Sequence, residues 1–106
     1  MNDVTETLAL KRLFEKNAAK LWTSATKSMI GHPQGACGAA GVAATLYTLA
    51  HQEITPTINY ENPDPRCDLN VTPNKPVKRK VQNALVNCLA FGSKNSAIVL
   101  ERRDIL

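Results

Sequence analysis

Apolar and polar positions follow different rhythms along this chain, and each rhythm predicts its own element. Leu10, Leu13 and Phe14 recur at helical spacing, while Lys11, Arg12, Glu15 and Lys16 take the other side. That pattern predicts an amphipathic helix ending near Lys16 and Asn17. Asp3-Val4-Thr5-Glu6 stands at its start as a capping box, Asp3 accepting from the third helical N–H and Glu6 reaching back. From Leu21 to Thr26 the residues Trp22, Thr23 and Thr26 favour a short strand. Pro33 and Gly35 open a second helix that runs from Gly35 to about Gln52. Its Ala and Gly content calls for another backbone packed very close on more than one side.

Periodicity then disappears. Pro56, Pro63, Pro65, Pro73 and Pro76 punctuate an irregular excursion from Ile54 to Lys80. Such a length is unusual in a compact domain and marks either a functional loop or one that packs on something else. Val81–Cys88 and Ser96–Glu101 read as two β segments. Phe91-Gly92-Ser93-Lys94-Asn95 joins them as the turn of an antiparallel hairpin. The order helix, strand, helix, loop, strand, strand describes an α/β layer: a mixed sheet with flanking helices.

At 106 residues the chain is one domain at most. With 43% hydrophobic and 21% charged residues it is globular, and 5% aromatics leave the core to Ala, Val, Leu and Ile. The net charge of +4 is uneven: Lys75, Lys78, Arg79, Lys80 and Lys94 lie in a stretch, 69–100, that contains no acid. A basic stripe attracts nucleic acid, anionic lipid or an acidic protein, and the plainer reading is a solvated loop ahead of a strand. No aromatic is interleaved with these bases, so a stacking platform for single strands is missing. Cys37, Cys67 and Cys88 form no paired framework, which suits a reducing compartment. His32 and His51 flank no cysteine at ligand spacing, so no metal site is expected. The uncharged run Ser28–Gln52 has too few large aliphatics for a membrane span, and the polar, acidic first residues do not read as a leader.

Candidate chemistry concentrates at Thr26-Lys27-Ser28-Met29-Ile30-Gly31-His32, which runs from a strand end to a helix start. Lys27 and His32 can converge beyond the strand's carboxyl edge, where α/β folds usually bind ligands. Beside a helix N-terminus His32 is favoured as neutral imidazole, able to donate to a developing oxyanion. A capping histidine and a solvent lysine are the alternative. His51, at the end of the Ala-rich helix, fits a structural role against the C-terminal dipole. Phe91, between Ala90 and Gly92, is either a plug over the core or a mobile aromatic closing a pocket beside exposed backbone N–H groups.

These motifs together resemble the C-terminal part of the β-ketoacyl-acyl-carrier-protein synthases, condensing enzymes of the thiolase-like superfamily. Asn2-Asp3-Val4-Thr5-Glu6 looks like the segment after the family's His-Gly-Thr-Gly-Thr motif. Lys27-Ser28-Met29-Ile30-Gly31-His32 matches Lys-Ser-x-x-Gly-His, and Gly35-Ala36-Cys37-Gly38 matches the following Gly-Ala-x-Gly. Pro56-Thr57-Ile58-Asn59, Asn62-Pro63-Asp64-Pro65 and Cys67-Asp68-Leu69 repeat the family's proline-rich excursion in order. Phe91-Gly92-Ser93-Lys94-Asn95 stands where the family has Phe-Gly-Gly-Thr-Asn.

The resemblance implies residues 1–106 to be a partial synthase domain, the distal part of the C-terminal thiolase-like half. It implies a decarboxylative Claisen condensation of an acyl thioester with malonyl-acyl-carrier protein, in fatty-acid or polyketide synthesis. His32 matches the histidine that donates to the thioester oxygen as enolate charge develops, and Lys27 the lysine that orders the site. Phe91 matches the aromatic gate, with Gly92 beside it, and its N–H half of the oxyanion hole. Asn95 matches a structural asparagine of that turn. The family's cysteine nucleophile and first histidine fall before Met1, and none of the three cysteines stands in for the nucleophile. The chain alone is therefore expected not to condense. Ser93-Lys94 departs from the pattern, and Met1 replaces family sequence, as in a fragment, a split gene or a remnant. A non-catalytic partner of the chain-length-factor kind is the alternative. Acyl carrier protein as partner, self-association through uncovered apolar surface, no cofactor, no nucleic-acid or membrane binding and a cytoplasmic location complete the expectation.

Overall fold

The computed structural model describes residues 2–104; Met1, read above as replacing family sequence, lies outside them. Helix α1 spans Asn2–Phe14 and passes through a 3-10 turn, Glu15–Lys20, into strand β1, Trp22–Thr23. Glu15 adopts a left-handed φ of 47°, which ends the α-helix one turn earlier than the polar pattern predicts. The capping box does not form. Glu6 instead accepts a hydrogen bond from the Asn87 side-chain amide, joining α1 to a strand far along the chain. The buried side of α1 carries Thr7, with Leu10 and Phe14 half-buried, while Leu13 is exposed. Positions 7, 10 and 14 share one helical face and position 13 lies about 100° away from 14.

The predicted strand from Leu21 to Thr26 shrinks to the two residues of β1, because Thr26 already has helical geometry just ahead of α2, Lys27–Ile30. A 3-10 turn, Gln34–Ala36, precedes α3, Cys37–His51. Helix α3 lies against β5, Asn83–Ala90. At the crossing, a Cβ on Gly41 would come within 2.9 Å of Val86 Cγ1, so the small residue is needed there. The close approach holds on that side only, since nothing lies within 4 Å of the Cβ positions of Gly35 and Gly38.

Strand β5 pairs antiparallel with β6, Lys94–Glu101, from Asn83 opposite Glu101 to Ala90 opposite Lys94. The hairpin matches expectation, although both strands run nearer the turn than the sequence suggests. The excursion is less irregular than its prolines imply. It contributes β2, Glu53–Ile54, β3, Asn70–Val71, and β4, Val77–Lys78. β3 pairs parallel with β1 and β4 antiparallel with β2. The mixed pairing is therefore spread over three two-stranded pieces among the described residues.

Ion pairs fasten the excursion. Lys11 Nζ meets Asp68 at 2.6 Å, and Lys78 meets Glu53 at 3.1 Å across the β2–β4 register. Each lysine holds its partner's carboxyl below the usual range, with the Tyr47 hydroxyl adding to the effect on Glu53. Part of the basic stripe is thus neutralised locally. Arg79 lies over the Trp22 ring at 5.2 Å from its centre, an aromatic contact the sequence order hides. The solvated-loop reading holds for the rest, with Lys75 and Lys80 exposed ahead of β5.

The C-terminal end of α3 is closed by Gln52, not His51. Gln52 takes a left-handed conformation and its N–H donates to Thr48 O at 2.8 Å. Its side-chain amide exchanges hydrogen bonds with the Val81 peptide and donates to Leu49 O, to which Arg102 also donates at 3.0 Å. Arg102 supplies the positive charge at the helix end that the sequence assigns to His51. His51 is exposed and packs its ring on Tyr47, centroids 4.4 Å apart.

Among the described residues only Ala18, Leu49 and Ile54 are buried apolar side chains, joined by Thr7, Thr48 and Thr72. Leu8, Leu13, Met29, Ile30, Leu46, Tyr47, Ile98 and Val99 all remain exposed. Uncovered apolar surface, expected from the resemblance, is therefore a feature of the fold. No described helix is long and apolar enough to cross a membrane.

Candidate functional site

Segment 21–32 is held by a polar braid. The Thr72 peptide lies between two others, its N–H donating to Thr23 O at 2.9 Å and its carbonyl accepting from Thr57 N–H at 2.7 Å. Side chains continue the pattern. Thr57 Oγ1 accepts from Ala25 N–H at 2.8 Å, and Ser24 and Thr55 share a hydroxyl hydrogen bond of 3.0 Å. Ser28 Oγ donates to Ala25 O at 2.7 Å and accepts from Ile58 N–H at 3.0 Å. Residues 55–58, the start of the proline-rich excursion, thus strap down the turn that carries α2. Sequence reasoning passes over Ser28 and Thr57; their signal is small hydroxyl residues inside motifs otherwise read for lysine, histidine and proline.

Lys27 and His32 stand at either end of this short turn. Lys27 is the first residue of α2, exposed, and its ammonium has no hydrogen-bond or ion-pair partner among the described residues. After Ile30 the chain reverses at Gly31, with φ 76° and ψ −167°. Only glycine occupies that region without large strain, so Gly31 sets the direction in which His32 leaves the helix. His32 is exposed. Its Nδ1 accepts from Gln34 N–H at 3.0 Å and lies 3.4 Å from Cys37 Sγ. With Nδ1 accepting, the neutral ring carries its hydrogen on Nε2 and can donate outward. No hydrogen bond joins Lys27 to His32 among the described residues, so any meeting of the two is through a ligand. Cys37, the first residue of α3, touches the histidine directly, which the sequence does not foretell.

Phe91 lies in the three-residue turn Phe91–Ser93 and is wholly exposed at 100%. It is not a plug over the core. Gly92 (φ 72°) and Ser93 (φ 58°) both take left-handed backbone. Asn95 sits in β6 opposite Leu89, exposed, with no side-chain hydrogen bond among the described residues. A cleft of about 830 Å³ lies elsewhere, between α1, β1, α3 and β5, walled by Leu10, Phe14, Trp22, Thr48, Ile54 and Leu85. Neither Lys27, His32 nor Phe91 lines it.

Lys27 at the start of α2, His32 just past the Gly31 turn and Phe91 at the hairpin tip are all exposed. The profile of the β-ketoacyl synthase C-terminal domain matches residues 1–61. The chain belongs to that family, as part of its C-terminal domain.

Relatives extend the match over nearly the whole chain. The 3-oxoacyl-[acyl-carrier-protein] synthase 2 of Synechocystis is 41% identical over 95% of this chain and 24% of its own length. The tetracenomycin polyketide synthase ketoacyl synthase alpha subunit of Streptomyces glaucescens is 44% identical over 95% and 24%. Among solved structures, a type II polyketide ketosynthase in complex with its acyl-carrier protein superposes with a TM-score of 0.90 at 33% identity, over 93% of this chain and 24% of that one. The ishigamide ketosynthase/chain length factor gives 0.91 at 37%, over 97% and 25%. The chain spans about a quarter of the length of these relatives. The thiolase-like fold is the one expected.

Proposed function

We propose that this chain supplies the histidine side of a 3-oxoacyl-acyl-carrier-protein synthase that condenses an acyl thioester with malonyl-acyl-carrier protein in fatty-acid or polyketide synthesis. The observation that carries the proposal is the Gln34 N–H bond to His32 Nδ1 in an exposed ring, which leaves the hydrogen of the neutral imidazole on Nε2. When the carbon–carbon bond to the malonyl carboxylate breaks, carbon dioxide leaves and charge moves to the thioester oxygen. The Nε2–H meets that oxygen, and the unpaired Lys27 ammonium stabilises the same charge. The carbanion then attacks the acyl group held as a thioester on a cysteine, and that thiolate departs as the new carbon–carbon bond closes. Phe91 gates the acyl group, its N–H and Gly92 shape half of the oxyanion hole, and Asn95 supports the turn.

On this reading acyl carrier protein is the partner, no cofactor is used, and the 106 residues by themselves do not condense. Three free cysteines suit action in the cytoplasm, and the exposed apolar residues suit self-association. The test joins the chain behind the first three quarters of the Synechocystis synthase and follows carbon dioxide release from malonyl-acyl-carrier protein. Release is expected, and His32→Ala should lower kcat by about 10²–10³-fold, the usual effect of removing an oxyanion donor. A folded fusion whose rate ignores that substitution refutes the assignment.

A second reading has one observation in its favour. Ser93 holds a left-handed backbone where the family pattern has glycine. A folded fusion that never releases carbon dioxide favours this non-catalytic partner.

A further inference from the structure

His32 Nδ1 has two polar neighbours, the Gln34 N–H at 3.0 Å and the Cys37 thiol at 3.4 Å. An imidazole nitrogen offers either a lone pair or a hydrogen. The Gln34 N–H can only donate, so Nδ1 holds its lone pair, and the thiol must turn its own hydrogen toward the ring. We propose that Cys37 is a positioning residue for His32, its S–H sharing the Nδ1 lone pair with Gln34 and so keeping the ring's hydrogen on Nε2. The purpose of this arrangement rests on the role of His32 proposed above, since Nε2 is the atom that meets the enolate oxygen.

Two further features support it. Cys37 is half-buried and carries helical backbone angles, φ −55° and ψ −44°, so the helix fixes where its sulfur lies. In Gly35-Ala36-Cys37-Gly38 the cysteine occupies the variable position of the Gly-Ala-x-Gly pattern. The thiol is therefore a property of this chain and not demanded by the motif. The Gln34 bond is the shorter of the two and the S–H is a weak donor, so the thiol biases the ring and does not alone determine its state.

The experiment uses the whole 106-residue chain labelled with ¹⁵N, and reads both imidazoles by long-range ¹H–¹⁵N spectra at about pH 8, above the usual histidine range. His51→Gln assigns the signals. Wild-type His32 is expected mainly as the Nε2–H form. Cys37→Ala should lower the ratio of Nε2–H to Nδ1–H by roughly threefold, a modest share of one hydrogen bond, and Cys37→Ser, which keeps a donor, should restore it. Methylthiolation of Cys37, with Cys67 and Cys88 changed to Ser, removes the S–H without altering the helix sequence and should copy the alanine variant. Ring shifts unmoved by both treatments overturn the proposal. In the fusion enzyme Cys37→Ala should lower kcat by less than about twofold with KM unchanged, as the Nε2–H fraction falls. An inactive wild-type fusion with the ring shifts behaving as expected counts against the role of His32 and leaves the thiol's hold on the ring standing.

Discussion

Segment 21–32 and the β5–β6 hairpin each carry half of the proposed site, and they are built by opposite means. The first is polar and tied down. Thr23, Ser24, Ala25 and Ser28 each make a hydrogen bond to residues 55–58 or 72. The hairpin has full ladder pairing between its two strands, yet most of its far strand is exposed. Ile98 and Val99 are exposed on β6, and Phe91 stands free at the tip. A histidine held by the first arrangement is oriented by its own chain. An aromatic at the end of the second takes its place only against another surface. The difference teaches that a chain of this length can prebuild the donor half of the site and leave the gate half to its surroundings.

The turn glycine is the most sensitive point of the braced half. Gly31→Ala meets no steric obstacle, because nothing lies within 4 Å of the added Cβ. Its backbone, at φ 76° and ψ −167°, is nonetheless one that essentially only glycine adopts. The substitution should cost about 2–3 kcal/mol, read as a fall in the urea midpoint with an unchanged slope. If stability stays within about 0.5 kcal/mol, as for an ordinary surface change, the backbone at this turn is not braced and the contrast with the hairpin fails.

The two halves also differ in how far sequence alone reveals them. The hairpin was legible because its strands are long and its turn carries Phe91-Gly92. The segment Lys27–His32 was legible as a motif, but its bracing was not. Thr57 and Ala25 are brought together by a loop whose path no periodicity encodes, and short polar side chains carry no pattern of their own. β2, β3 and β4 escaped for the same reason: a two-residue strand is defined by its partner. The capping box misled because Glu6, which could serve the α1 start, finds a stronger use on Asn87. The exposed Phe91 corrects the plug reading, since adjacency to a turn says nothing about what lies above it.

The hairpin turn offers a smaller effect of opposite sign. Ser93 sits at φ 58°, a conformation that costs an L-residue roughly 1–2 kcal/mol. Glycine removes that strain and gives back about 0.5–1 kcal/mol through its freer unfolded chain. Ser93→Gly should therefore stabilise by about 0.5 kcal/mol. Because the hairpin tip and most of β6 are exposed, amide exchange there should slow while that of residues 21–32 is unchanged. Loss of stability would mean that the Ser93 side chain has a role at the tip that its exposure does not suggest.

Acid separates the halves most gently. Asp64 is held at about 2 by the Arg66 side chain, bidentate in contact with the carboxylate and 2.6 Å away at its closest, and by the Arg66 N–H. Its folded pKa lies below the value of about 4 expected for the unfolded chain. The clip's contribution is therefore fully present above that value and is lost as pH falls through about 2. Asp68, held down by Lys11, should respond in the same direction. Residues 83–100 contain no Asp or Glu; among the described residues the Asn87 amide binds Glu6, and Glu101, at the end of β6, faces Asn83 and pairs with Arg103. Chemical shifts around Asp64 and Asp68 should therefore move only toward the acid end of the titration, with the hairpin amides between Ala84 and Leu100 still there except near Asn87. Arg66→Gln should bring the Asp64 titration back toward the ordinary range without touching the hairpin. Should the hairpin amides move together with Asp64, the two regions unfold as one unit, and the independence argued from their hydrogen bonding would have to be given up.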